Sequence, residues 1–445
     1  MTPEDTPKEI PIKVGTKTRR IHVDYLARIE GEGSLLLQMK NNKVENVQLK
    51  IFEPPRFFEA LLQGRDFMEA PDITSRICGI CPVAYQLTAA CAMEEGFNVQ
   101  MPEYLQQLRR ILYCGEWIES HSLHVFMLHI PDFLGYPDAV EMSKGHKELV
   151  LRGLRIKKAG NQIIKILGGR EIHPINVKVG GFYKLPEKNE LLSLIPTLQE
   201  AIDDTKESIL FASKLSYPIL SRNYEWVCLS SLQEYPMARG LIHSNLGLHL
   251  SADSFLDHFE EEHLPHSTAL YAKVKSRGSY LVGPLARYNL CGSQLGYSTA
   301  AMIKEISFET QCNNPFRSVL IRLFEILYSL EEALHILKEF DAWTQPASIP
   351  LIRKACQGSA ATEAPRGLLF HSYEIDEKGI IKKAKIIPPT SQNQKSIEED
   401  LFDFAKQNSH LSDKELTWHC EMSVRNYDPC ISCSAHFLRL EKMYE

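Results

Sequence analysis

The sequence predicts an α+β fold: one large, mainly helical domain with strand segments near its N- and C-terminal ends. Three observations predict it. Apolar residues recur at helical spacing through the middle of the chain. Alternating, turn-flanked runs cluster at residues 21–52 and 366–387. Neither an internal repeat nor a low-complexity linker interrupts the 445 residues, so one continuous core is expected.

The elements follow in order. Residues 1–20 are polar and proline-bearing, a flexible N-terminal segment without the apolar run of a signal peptide. Residues 34–40 and 44–51 flank Asn41-Asn42-Lys43 and read as a hairpin. After Pro54-Pro55 the pattern turns helical, with a short helix over 56–63 and another over 82–95. A long core helix over 102–129 carries Leu105, Leu108, Ile111, Leu112 and Ile118. Helices are expected again over 148–167, 190–215, 300–310 and 315–342. Strands return at 366–374 and 379–387 around the turn Asp376-Glu377-Lys378-Gly379, and helices over 396–407 and 430–444 close the chain.

Composition excludes several function classes. The chain is 44% hydrophobic and 24% charged, as in ordinary globular proteins. A net charge of −6 without a long basic run argues against nucleic acid and anionic membranes as partners. No apolar stretch approaches the roughly 20 residues that cross a bilayer. Eleven cysteines, an odd number, do not read as a disulfide framework; a reducing, cytoplasmic compartment fits better. Cys91, Cys114, Cys228, Cys291, Cys312, Cys356 and Cys420 lack paired spacing and read as buried small hydrophobes.

The other four cysteines form Cys78-Gly-Ile-Cys81 and Cys430-Ile-Ser-Cys433, at opposite ends of the chain. Asp428-Pro429 reads as an N-cap and first helical residue, setting Cys430 and Cys433 on one face of a first turn. Cys81-Pro82 reads similarly, with Cys81 at a cap and Cys78 delivered by a glycine-containing loop. Four thiolates in two pairs make a soft metal site, and buried together they require enclosed cationic charge. Spacing alone fits structural zinc. A zinc staple across nearly the whole chain is unnecessary where the core is ample, so the flanks decide.

Those flanks are Arg76-Ile77-Cys78-Gly79-Ile80-Cys81-Pro82 and Asp428-Pro429-Cys430-Ile431-Ser432-Cys433-Ser434-Ala435-His436. With them stand Arg28-Ile29-Glu30-Gly31-Glu32-Gly33, Gly169-Arg170-Glu171-Ile172-His173-Pro174 and Glu363-Ala364-Pro365-Arg366-Gly367. Over essentially the whole chain, this ordered set resembles the large, catalytic subunit of nickel–iron hydrogenases. The resemblance implies the hydrogenase large-subunit fold over 21–436 and reversible heterolytic oxidation of dihydrogen. It implies Cys78 and Cys430 as terminal nickel ligands. Cys81 and Cys433 would bridge nickel to an iron carrying carbon monoxide and two cyanides. Pro365, Arg366, Thr390 and Asp428 would surround that group, with Arg366 and Cys430 as candidate bases and Glu30 as the outward proton gate. Glu59, His436 and the Ile386 carbonyl would hold magnesium or another divalent metal. A maturation endopeptidase, with a chaperone, would trim the chain after His436 and remove 437–445.

Tyr85 stands where many family members have histidine, Ser120 where aspartate is common, and Gln392 where tryptophan is common. With Pro82, these residues resemble the cytoplasmic, NAD(P)-linked branch that includes the sulfhydrogenase alpha subunits, whose members also reduce sulfur or polysulfide. No Gly-x-Gly-x-x-Gly follows a strand, so nucleotide binding falls to partners. The implied partners are a small subunit with iron–sulfur clusters, which Arg170 and His173 would face, and flavin or iron–sulfur NAD(P)-reactive subunits. His121 and His124 read as buried, hydrogen-bonded histidines rather than a metal pair. Two other readings exist: a non-catalytic respiratory-complex subunit on the same fold, whose cysteine pairs are lost, and a zinc-stapled binding protein. Retention of all four cysteines counts against the first, and the Glu30 and Arg366 motifs against the second.

Overall fold

Asn41 and Asn42, both with left-handed φ (50° and 60°), form the two-residue turn that suits a right-twisted hairpin. They join Gly33–Lys40 to Lys43–Ile51, and Thr18–Val23 pairs antiparallel along the other edge of Gly33–Lys40. The computed structural model describes residues 18–232 and 234–435. Residues 1–17, His436 and the 437–445 extension lie outside the described residues.

Helices Pro82–Phe97, Glu103–Ser122, Lys147–Gly168 and Ser318–Glu339 form the centre of the fold. Leu105, Leu108, Ile111, Leu112 and Ile118 are fully buried, as their spacing predicts. Glu103–Ser122 and Lys147–Gly168 approach closely at Gly115 and Gly160, where a Cβ on Gly160 would come within 2.6 Å of the Gly115 carbonyl oxygen. Among the described residues, no helix is long and apolar enough to cross a membrane.

The structure revises several sequence expectations. The long helix is α-helical only to Ser122; Leu123–His129 continues as a π-helix. Pro131 offers no N–H to the Met127 carbonyl and its ring crowds it, so the ladder opens just upstream. Strands are not confined to the two ends. Val227–Ser230, Leu241–Ser244 and His249–Leu250 form one small sheet and Phe259–His263 with Leu270–Val274 another. They enclose a second apolar core in which Phe255 stacks on Phe259 and Phe370. Runs this short carry no readable period. Cys356–Ala364 adds a strand beside Gly367–Ile375. Its small residues let it lie against Pro82–Phe97, with Gly358 backed onto Ala92 and Gly96. Pro389–Gln407 begins earlier than expected, setting Thr390 in a helical first turn, and Asp413–Arg425 is a further helix. Cys91 and Cys356 are half-buried rather than buried.

His121 accepts its expected place, fully buried, with Nε2 2.9 Å from Glu325. His124 Nε2 meets the Arg425 carbonyl at 2.7 Å. Burial holds His121 down at about 4, against the usual 6.5. Because its folded-state value is depressed, the unfolded chain takes up a proton first as pH falls. This contribution to stability is therefore lost between about pH 6.5 and 4. His121→Gln is expected to reduce the acid sensitivity of unfolding between pH 7 and 5 by about 2 kcal/mol. Urea midpoints of variant and parent at the two pH values measure it.

Candidate metal centre

The chain closes on itself at one point. Ile431 N–H donates to the Glu30 carbonyl at 2.9 Å, a parallel bridge that brings the C-terminal cysteine pair beneath the N-terminal sheet. Arg56 completes the closure. Its guanidinium donates to the carbonyls of Ile77 (2.7 Å) and Ser432, and its backbone N–H to Ala435 (2.9 Å). One side chain thus ties both cysteine loops together.

The Sγ atoms of Cys78, Cys81, Cys430 and Cys433 all lie within 4.8 Å of one another, and all four residues are buried. Cys81 is the N-cap of Pro82–Phe97 with proline at the first position, as the sequence predicts. Cys81 N–H and Ile80 N–H both reach Cys78 Sγ, at 3.2 and 3.3 Å. The far side of that cap is served by buried Glu116, which accepts from Val83 N–H (2.5 Å) and Ala84 N–H (3.0 Å). The second pair departs from expectation. Asp428 has φ 50° and caps nothing; Cys430 is the N-cap of a four-residue helix, Ile431–Ser434. Left-handed backbone at Asp428 turns its carboxylate away from the helix and onto Arg366 instead.

Electrostatics explain why the four sulfurs require a cation. Burial pushes the Cys430 and Cys433 thiols up; at Cys81 an interaction with Cys430 favours the thiolate, but Cys433, Cys78 and burial outweigh it and raise that thiol too. Burial also opposes ionisation of Cys78, but donation from Cys430, Cys433 and Cys81 wins and holds it well below the usual thiol value. Ionising all four thiols in this buried setting calls for the positive charge of a metal.

Charged and polar groups surround the sulfurs. Arg366, 3% exposed, donates Nε to the Asp428 carbonyl (2.6 Å) and Nη2 to its Oδ1 (3.2 Å), while Nη1 has no partner. Burial works against its charge, yet Asp428 and the cysteines outweigh that and raise its pKa further. Thr390 Oγ1 accepts from Cys430 N–H at 3.1 Å, leaving its own hydrogen to donate. Glu30 Oε2 lies 3.0 Å from Cys430 Sγ and accepts from Ser432 N–H at 3.0 Å. Ser432 Oγ in turn donates to Glu53 Oε2 at 2.8 Å. The Tyr85 hydroxyl is fully buried, and burial together with the charge of Cys433 raises its pKa.

Glu59 and Ile386 also come together, through the Ile386 N–H donating to Glu59 Oε1 at 2.8 Å. Lys385 Nζ lies 3.5 Å from the same oxygen and ion-pairs with Glu261. Burial raises Glu59 to about 7. His173 Nδ1 meets the Ser75 carbonyl at 2.7 Å and Arg170 folds back on the His173 carbonyl, so this exposed loop is anchored beside Cys78.

Sequence reasoning missed Arg56, Glu53, Glu116 and Lys385. Only Glu116 left a signal: four residues after Leu112, it is a charge on the buried face of Glu103–Ser122. Cys228 and Cys291, read as isolated, in fact lie with sulfurs 3.9 Å apart.

Comparison with known proteins agrees with this geometry. The family model described as nickel-dependent hydrogenase matches residues 56–149 and 318–436, which contain all four cysteines. The alpha subunit of sulfhydrogenase 2 from Pyrococcus furiosus is 34% identical over 430 residues, covering 94% of this chain and 100% of the relative. The beta subunit of the NAD-reducing hydrogenase HoxS from Cupriavidus necator is 27% identical, over 95% of each chain. A crystal structure of an NAD+-reducing [NiFe]-hydrogenase in the H2-reduced state superposes with a TM-score of 0.86 at 26% identity, covering 94% of this chain and 99% of that one. With the identity to the sulfhydrogenase alpha subunit running the length of both chains, the chain belongs to the nickel-dependent hydrogenases as their large, catalytic subunit.

Proposed function

We propose that Cys78, Cys81, Cys430 and Cys433 hold a nickel–iron group at which dihydrogen is reversibly and heterolytically oxidised. The observation that carries this is the cluster of four buried sulfurs, with the Glu30 carboxylate against Cys430 and the Arg366 charge near the cysteines. The residues fit an iron bearing carbon monoxide and cyanides: the unpartnered Nη1 of Arg366 and the uncommitted Thr390 hydroxyl are buried donors for anionic diatomic ligands. Bound there, the group supplies dihydrogen cleavage and takes up the electron pair.

The chain handles the proton. Cys430 Sγ, 3.0 Å from Glu30, is the base, and Glu30 carries the proton outward past Ser432 and Glu53 towards solvent. Arg366 is the less suitable base, because Asp428 and the thiolates hold its guanidinium charged. It acts as donor and counter-charge, and Asp428 and Pro365 set its pose. Glu59 and Ile386, with His436, are the proposed ligands of magnesium or another divalent metal, a hard-oxygen pairing. Lys385 beside Glu59 supplies positive charge to the same carboxylate.

Electrons leave through a small iron–sulfur subunit towards NAD(P)-reactive flavin or iron–sulfur subunits. The names of the NAD-reducing relatives support that linkage, and the name of the sulfhydrogenase relative supports the reduction of sulfur or polysulfide proposed beside it. Trimming after His436 by an endopeptidase, with a chaperone, and a cytoplasmic location complete the reading.

Anaerobic metal analysis and infrared spectroscopy of the purified complex test it. About one nickel per large subunit, iron in excess of it because the partner subunits carry iron–sulfur clusters, and carbonyl and cyanide bands are expected. Zinc alone would overturn the reading.

A further inference from the structure

We propose that Gly283 and Arg287 are positioning residues that set the pose of Arg366 by gripping the backbone of residues 363–366; the inference deepens the reading of Arg366 given above. Both residues sit in Gly283-Pro284-Leu285-Ala286-Arg287, where the helix Pro284–Cys291 begins. Arg287 is fully buried and every direction of its guanidinium is used. Nη1 donates to the Ala364 carbonyl at 3.0 Å and to Glu363 Oε2 at 2.9 Å. Nη2 donates to the Pro365 carbonyl at 2.9 Å and to Glu325 Oε2 at 2.8 Å, while Nε takes Glu325 Oε1 at 2.7 Å. Trp117 lies against the guanidinium at 4.3 Å and donates its own N–H to the Glu363 carbonyl at 3.0 Å.

Three consecutive carbonyls, those of Glu363, Ala364 and Pro365, are therefore each held by a buried donor. The fourth, that of Arg366, lies against Gly283. With φ 107°, Gly283 has backbone that side chains rarely adopt, and a Cβ there would stand 2.6 Å from the Arg366 oxygen. Asn393 fixes the adjoining Val282 from both sides, accepting its N–H at 2.9 Å and donating to its carbonyl at 3.1 Å. Asn393 belongs to Pro389–Gln407, the helix that also delivers Thr390 to Cys430. The arginine, the threonine and the C-terminal cysteine are thus referred to one frame. Lysine at 287 would keep the charge but could not reach five acceptor atoms in a planar fork.

The test uses the complete complex, with Arg287→Lys, Gly283→Ala and Arg366→Lys compared at equal nickel loading. Arg287→Lys and Gly283→Ala are expected to lower kcat per nickel about 10- to 100-fold with little change in KM for dihydrogen. A merely structural role would lower melting temperature and nickel content while leaving kcat per nickel intact. Gly283→Ala keeps every ion pair of Arg287, so it still tests the idea if Arg287→Lys fails to fold. Parental kcat per nickel in Gly283→Ala, alongside a crippled Arg366→Lys, overturns the inference. Full turnover in Arg366→Lys sinks the reading of Arg366 itself, and the inference with it.

Discussion

Cys433→Ser is expected to give a folded chain that retains little nickel and oxidises dihydrogen at least about a hundredfold more slowly. The substitution changes one sulfur to oxygen with almost no change in volume, so the packing around position 433 survives. What is lost is softness and acidity. A serine hydroxyl does not ionise near neutral pH, and its oxygen is a poor match for nickel and low-spin iron. The four cysteines are a small part of the large apolar core, and this change removes one sulfur from it, so the melting temperature should move by only a few degrees. This separates a catalytic centre from a structural zinc staple, where the same change would cost the fold. Metal content per chain, thermal unfolding and dihydrogen-dependent dye reduction, measured together, decide it. A variant with parental nickel and turnover would show that Cys433 lies outside the ligand set.

How far the sequence could be read depended on the range of each interaction. The Asn41-Asn42 turn and the Cys81-Pro82 cap follow from neighbouring residues alone, and both stand in the structure. Asp428-Pro429 looked equally local, yet it failed as a cap. The Arg366 carboxylate partner and the left-handed φ at Asp428 are settled by a contact 62 positions away in sequence. Asp428 therefore belongs to the site while its helix-capping role does not exist. The π-helical turn at Leu123–His129 was readable in principle, because Pro131 could not sustain the ladder behind it.

The side chains that hold the centre together were the hardest to foresee. Arg56 reaches Ser432, Glu116 reaches Val83 and Arg287 reaches both Glu325 and Pro365. In sequence each is one charged residue in a helical or loop setting, where the ordinary fate is a solvated face. Their meaning appears only when folding buries them beside backbone groups that need partners. The ligands could be found from a repeated spacing; the scaffold that orients them could not.

Glu30→Gln should preserve the metals and their infrared bands while slowing dihydrogen oxidation at least about a hundredfold. Glutamine keeps the shape of the side chain, and its carbonyl can still accept from Ser432 N–H, now met by Glu30 Oε2 at 3.0 Å. The backbone bridge from the Glu30 carbonyl to Ile431 N–H is untouched, so the C-terminal pair stays in register. An amide cannot take up a proton from Cys430 Sγ and release it again, so the step across that 3.0 Å gap is the one removed. Glu30→Asp restores a carboxylate but draws it back by one methylene, and should recover only part of the rate. Glu53→Gln, one hydrogen bond further out through Ser432, should cost less because water can replace it near the half-buried end of the route. Exchange between deuterium gas and water protons is the decisive measurement, because it follows proton movement without requiring electrons to leave. Parental exchange in Glu30→Gln would mean that the proton leaves Cys430 by another path, and Glu53 would then have no part in it.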